Sequence, residues 1–146
     1  MPTRRPYYSH LAVHRLMLRD DVRTRAFRDA LRAVVRPGDV VLDVGAGTGI
    51  LCLFAAQAGA ARVYAVERTS IARTARALVA RNGFSDRIHI LNDDIERVSL
   101  PERVDVIVSE WLGTLAVDDP FGGLGTCLES CRLPARVDLH LWRCRA

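Results

Sequence analysis

The stretch Asp43-Val44-Gly45-Ala46-Gly47-Thr48-Gly49 constrains this 146-residue chain more than any other. It follows Val40-Val41-Leu42, a run that reads as a buried strand because it is continuous, β-branched and set off by the turn Arg36-Pro37-Gly38-Asp39. Glycines after such a strand let the backbone turn sharply and approach a ligand with no Cβ in the way. Ile50 to Ala58 reads as the next helix, so its first amides point back into the loop. A second strand, Arg62 to Val66, closes on Glu67, 22 residues beyond Gly45. A carboxylate at that strand end is placed to accept hydrogen bonds from both hydroxyls of a ribose. The segment predicts a pocket for a nucleoside-bearing cofactor, framed by Asp43, Gly45, Gly47, Gly49 and Glu67.

The glycine spacing narrows the choice. A dinucleotide fingerprint runs G-x-G-x-x-G, whereas the third glycine here comes one residue early. No phosphate-binding lysine follows, since all 21 basic residues are arginine. The expected rim is acidic, with Asp43, Glu67, Asp93, Asp94, Glu96 and Glu110. That rim repels a pyrophosphate and suits a sulfonium, an amine and a ribose. S-adenosylmethionine fits best.

The rest of the chain fills in an α/β frame. Asp20 or Asp21 is a cap for a helix to about Val35, with Val22, Ala26, Phe27, Ala30, Leu31 and Val34 as its apolar stripe. Tyr7 to Leu18 reads as a shorter helix beneath the cofactor. Ser70 is the expected cap of a helix ending near Asn82-Gly83, and Gly59 a helix C-cap. Arg87 to Leu91, Val104 to Ser109 and Leu133 to Trp142 are further strands. Such alternation predicts a parallel sheet with helices on both faces and ligands at its C-terminal edge. The net charge of +4 comes from arginines scattered among acids without interleaved aromatics, which argues against nucleic acid. No apolar run reaches the ~20 residues of a membrane helix, and Met1 to Pro6 lacks the apolar stretch of a signal peptide. A cytoplasmic protein is expected, with reduced cysteines and no metal site, because Cys52, Cys127, Cys131 and Cys144 form no CxxC pair.

Four segments together resemble the cofactor-binding half of the protein arginine N-methyltransferases, a class I S-adenosylmethionine-dependent family. They are Val13-His14…Met17-Leu18…Asp21-Val22-Arg23-Thr24, then Val40 to Cys52, then Ile95-Glu96…Leu100-Pro101, and finally Val104 to Gly113 with its Ser109-Glu110-Trp111-Leu112-Gly113. The resemblance implies a Rossmann-like class I methyltransferase domain that moves a methyl group to the guanidinium of an arginine-containing protein or peptide. By the same resemblance Arg23 clamps the cofactor carboxylate, His14 lines the pocket, and Ile95 and Glu96 meet the adenine edge. Glu110 grips the target guanidinium, with Asp119 in the place of a second family glutamate.

The chain also departs from the family pattern. Asp119 is one carbon shorter than the glutamate it replaces, and Arg4 stands where the family has a tyrosine in the active-site lid. The family continues into a β-barrel with a dimerisation arm; here only Leu133 to Asp138 resembles its beginning, so the expectation is a truncated chain lacking the barrel. Without that arm a homo-oligomer stays open. The expected divisions are an N-terminal helical lid over 1–36, a cofactor-binding core over 37–115 and a divergent segment over 116–146. Two alternatives remain at this stage, a non-catalytic cofactor-binding remnant and a class I methyltransferase for a small molecule.

Overall fold

A computed structural model describes residues 10–110 and the backbone of 141–143. Its core is a five-stranded sheet in the order β3-β2-β1-β4-β5, built from β1 (Val40–Val44), β2 (Arg62–Val66), β3 (Ile88–Leu91), β4 (Val106–Ser109) and β5 (Leu141–Arg143). The first four strands are parallel, and β5 runs antiparallel along the edge of β4. Of the strand expected over Leu133 to Trp142, the part before 141 lies outside the described residues.

β1 is buried along its whole length because it pairs on both sides, Leu42 with Tyr64 and with Ile107. Its alternating side chains feed two separate cores. Val41, with Val63, Val106 and Val108, meets Leu31, Leu51, Ala55 and Val79 from the helices on one face. Val40, Leu42 and Val44 point to the other face, joined by Tyr64, Val66 and Ile107. Among the described residues that second face is covered by Ile95, Val98 and Leu100, in and after a single 3₁₀ turn, Ile95–Arg97.

Among the described residues four helices precede or connect the strands: α1 (Leu11–Arg19), α2 (Asp21–Val34), α3 (Ile50–Gln57) and α4 (Ala72–Arg81). Asp20 caps α2, its carboxylate accepting the Arg23 amide at 3.1 Å. The buried stripe of α2 is narrower than its periodicity suggests. Leu31 is fully enclosed and Phe27 and Val34 pack on the core, yet Val22 is 82% exposed and Ala26 is exposed as well. α3 is apolar on nearly every side because the sheet and other helices enclose it. Ser70 does not cap α4 with its side chain. Ile71 stands at the cap position with no side-chain cap, and Thr69 Oγ1 accepts the Ile71 amide at 3.3 Å in the turn before the helix.

The strand order reverses between β2 and β4 on either side of β1. Such a reversal leaves a crevice at the carboxyl ends of the adjacent strands, where α/β sheets bind ligands.

Candidate cofactor and substrate site

The glycine loop begins where β1 ends, and three of its residues need glycine's backbone freedom. Gly45, Gly47 and Gly49 take φ of 75°, 56° and 84°. The amides of Gly45 and Ala46 both donate to the Val66 carbonyl, at 2.9 and 3.0 Å, which folds the loop over the end of β2. At Gly47 space also forbids a side chain, since a Cβ there would stand 2.8 Å from His14 Cε1. His14 is the one buried residue of α1, and it lays that helix on the loop.

Glu67 follows β2 and is itself buried. Its Oε2 accepts the Gly47 amide at 2.9 Å and its Oε1 the Thr69 amide at 2.7 Å. Each oxygen keeps a second lone pair for a ligand hydroxyl. Asn92, beyond β3, donates through Nδ2 to the carbonyls of Glu67 (2.7 Å) and Thr69 (3.1 Å), fastening that turn from behind.

Glu110 follows β4, and the Arg23 guanidinium of α2 donates to its Oε2. Ser109 ties the two strand ends together, its hydroxyl donating to the Val44 carbonyl at 2.9 Å. His14, Met17, Arg23, Gly45, Gly47 and Glu110 line one pocket between the first two helices and the loop. A second, polar pocket includes Thr69, Asn92, Asp93 and Asp94.

Asp43 is enclosed beside α3. The Cys52 thiol donates to its Oδ2 at 2.9 Å, while Oδ1 has no hydrogen-bond partner among the described residues. Burial, with the charges of Glu67 and Glu110 added, pushes its pKa up to about 7, against the opposing effect of the thiol.

These groups fit a cofactor that carries both a ribose and a positive charge. The carboxylates of Asp43, Glu67 and Glu110 lie close enough to act on one another's charge, with the Arg23 guanidinium paired to Glu110. Of the sequence candidates, His14, Arg23, Gly45, Gly47 and Glu110 line the pocket at the ends of β1 and β4, Asp43 and Gly49 lie within β1 and its loop, and Glu67 reaches Gly47 of that loop from the end of β2. Ile95 packs against the second core, and Glu96 is exposed in the 3₁₀ turn between Asp94 and Arg97 of the second pocket. Asp119 lies outside the described residues, as does Arg4. Thr69 and Asn92 carry no motif of their own, and Cys52 and Ser109 end and begin motif segments without a role assigned there; the fold brings all four to the loop or the turn beside it. Among the described residues no three potential ligands cluster as a metal site, and no helix is long and apolar enough to cross a membrane.

The family model described as ribosomal protein L11 methyltransferase (PrmA) matches residues 24–117. The chain is 52% identical over 109 residues to a probable protein arginine N-methyltransferase 1.2 of Arabidopsis thaliana, covering 73% of this chain and 30% of that one. It is 50% identical to the zebrafish (Danio rerio) protein arginine N-methyltransferase 6, over 73% of this chain and 31% of the other. Among solved structures, Arabidopsis thaliana protein arginine methyltransferase 10 superposes with a TM-score of 0.78 at 40% identity, over 84% of this chain and 36% of its own. The Trypanosoma brucei PRMT1 enzyme–prozyme heterotetramer with AdoHcy gives 0.69 at 47%, over 73% and 34%. The chain thus spans about a third of the length of the relatives it matches.

Proposed function

Since the chain belongs to the class I S-adenosylmethionine-dependent methyltransferases and matches the cofactor-binding half of the protein arginine N-methyltransferases, we propose that it serves methyl transfer to the guanidinium of a protein arginine. The observation that carries this reading is the convergence on the glycine loop after β1: Gly45, Gly47 and Glu110, after β4, line one pocket, and Glu67, after β2, accepts the Gly47 amide beside it. The loop and Glu67 hold a nucleoside, and Glu110 sets a carboxylate beside them.

When bound, the cofactor supplies an activated methyl on a positively charged sulfur. The chain's residues account for the remaining requirements. In this proposal Glu67 holds the ribose and Arg23 the carboxylate of the methionine portion, where a charge-assisted pair is strong. Glu110 faces the incoming guanidinium, with Asp119 as its second carboxylate. A guanidinium is delocalised and a poor nucleophile. Two acids at one side draw its charge toward them and leave the far nitrogen better able to attack. They also offset the repulsion between a cationic target and a cationic donor. What remains is orientation, the largest single lever in a reaction of this kind.

Arg23 already pairs with Glu110, so one contact links the cofactor end of the pocket to the substrate end. Removal of Arg23 is therefore expected to touch both binding and transfer, whereas Glu110→Gln keeps the size and polarity of the side chain and bears mainly on transfer. Titration calorimetry with S-adenosylmethionine and its demethylated product tests the binding half of the proposal. Transfer of a radiolabelled methyl group to arginine-rich peptides tests the chemical half. Glu110→Gln is expected to keep cofactor binding within a few-fold and to lower transfer by about a hundredfold or more. Binding without transfer to any arginine peptide would reduce the chain to a cofactor-binding module, and transfer that survives Glu110→Gln would remove Glu110 from the chemistry.

A further inference from the structure

Asp43 is costlier than a loop-holding acid needs to be. It lies one residue inside the end of β1 and is only 1% exposed. One carboxyl oxygen accepts the Cys52 thiol and the other is enclosed without a partner among the described residues. A buried carboxylate with a bare oxygen is unfavourable unless it takes a proton or a cation comes near.

The charged and titratable groups around it arrive from every packed element. Cys52 comes from α3, Glu67 from beyond β2 and Glu110 from beyond β4, the last paired with Arg23 of α2. His14 of α1 sits on the same loop, against Gly47. Counting only the formal charges of Arg23, Glu67, Glu110 and Asp43, the cluster carries one net negative charge while Asp43 is protonated and two when it ionises. Burial and the two glutamates bring that ionisation close to neutral pH.

The methyl donor and its demethylated product share an adenosine, an amine and a carboxylate. They differ by one methyl group and one positive charge. We propose that Asp43 senses that charge: it gives its proton to solvent when the sulfonium occupies the pocket and recovers one when the neutral thioether remains. This rests on the S-adenosylmethionine reading of the pocket. Favouring the donor over the product then follows from Coulomb attraction alone, with no contact to the methyl group required.

The test is calorimetry on the purified chain, measuring both ligands from about pH 5.5 to about pH 8.5 in buffers of different ionisation enthalpy. The preference for donor over product is expected to rise by roughly tenfold across this range, with more protons released per donor bound than per product. Asp43→Asn removes that rise, and subtracting its profile also removes the titration of the ligands' own amines. Should that variant fail to fold, Cys52→Ala still discriminates. Loss of the thiol donor disfavours the ionised carboxylate, so the midpoint of the rise moves to higher pH, while Cys52→Ser leaves it in place. A preference constant with pH in the unaltered chain, or a midpoint indifferent to Cys52→Ala, overturns the proposal. Failure of both ligands to bind at any pH removes the pocket reading itself, and the sensor with it.

Discussion

Gly47 meets two demands that no other residue satisfies together. Its φ of 56° costs an L-residue about 1–2 kcal/mol, and the missing Cβ leaves room for His14. Gly47→Ala is therefore expected to destabilise the chain by about 2–4 kcal/mol in urea unfolding. In a His14→Ala background the steric part disappears, so the same substitution then costs only about 1–2 kcal/mol. Equal costs in both backgrounds would show that the two residues do not press on each other. Asp43 makes a second prediction, this time in pH. Its folded pKa lies above the ordinary value of 3.8, so the native state binds the extra proton between that value and about 7. Stability falls as pH rises through this window and levels off above it. Asp43→Asn flattens the slope, and the variant gains on the unaltered chain toward pH 8 in the absence of ligand. A thermal-unfolding series at several pH values checks the sign. Neither residue's full burden was legible in the sequence. The glycines and Asp43 were visible as a motif, but His14 against Gly47 and the thiol on Asp43 are contacts between helix and loop that spacing alone does not encode.

Between elements, the turn after β2 depends on a residue from another strand. Asn92 donates to the Glu67 and Thr69 carbonyls, while Glu67 accepts two amides from the turn and the glycine loop. Asn92→Ala leaves two carbonyls short of a donor, for an expected loss of about 1–3 kcal/mol. Because the Glu67 carboxylate then loses its fixed aim, adenosine-bearing ligands weaken by more than the stability change alone predicts. Equal affinity in calorimetry would show that the turn holds itself. The strands were the easier part to read. Arg62 to Val66 coincides with β2, and β1 only extends two residues beyond its apolar run, because runs buried on both faces need no alternation. Helix faces were harder. Val22 and Ala26 fit the apolar period of α2, yet both are exposed, and the helix buries itself through Phe27, Leu31 and Val34 farther along. Ser70 does not cap α4 because the helix begins one residue later than expected, with Ile71 at the cap position.

At the scale of the whole molecule one sheet serves two cores, and the ligand crevice opens at the edge both cores share. Val41 and Leu42 are adjacent in sequence but support opposite faces, so loosening β1 loosens both at once. The glycine loop, Glu67 and Glu110 each hang from the end of a strand in this sheet. A ligand that joins them adds crosslinks between β1, β2 and β4 that the folded state alone can use. Binding to the native state only, at about a hundred times its dissociation constant, stabilises by about 2.7 kcal/mol. For a chain of this size that raises the unfolding midpoint by roughly 5–10 °C. S-adenosylmethionine is expected to produce that shift in a thermal melt, and methionine alone, which lacks the ribose, is expected to produce little. Glu67→Ala should unfold at lower temperature without ligand, since two amides lose their acceptor, and should lose most of the ligand-induced shift. A Glu67→Ala variant that still gains the full shift would mean that the ribose is held elsewhere, and that the acid after β2 serves only to fasten its own loop.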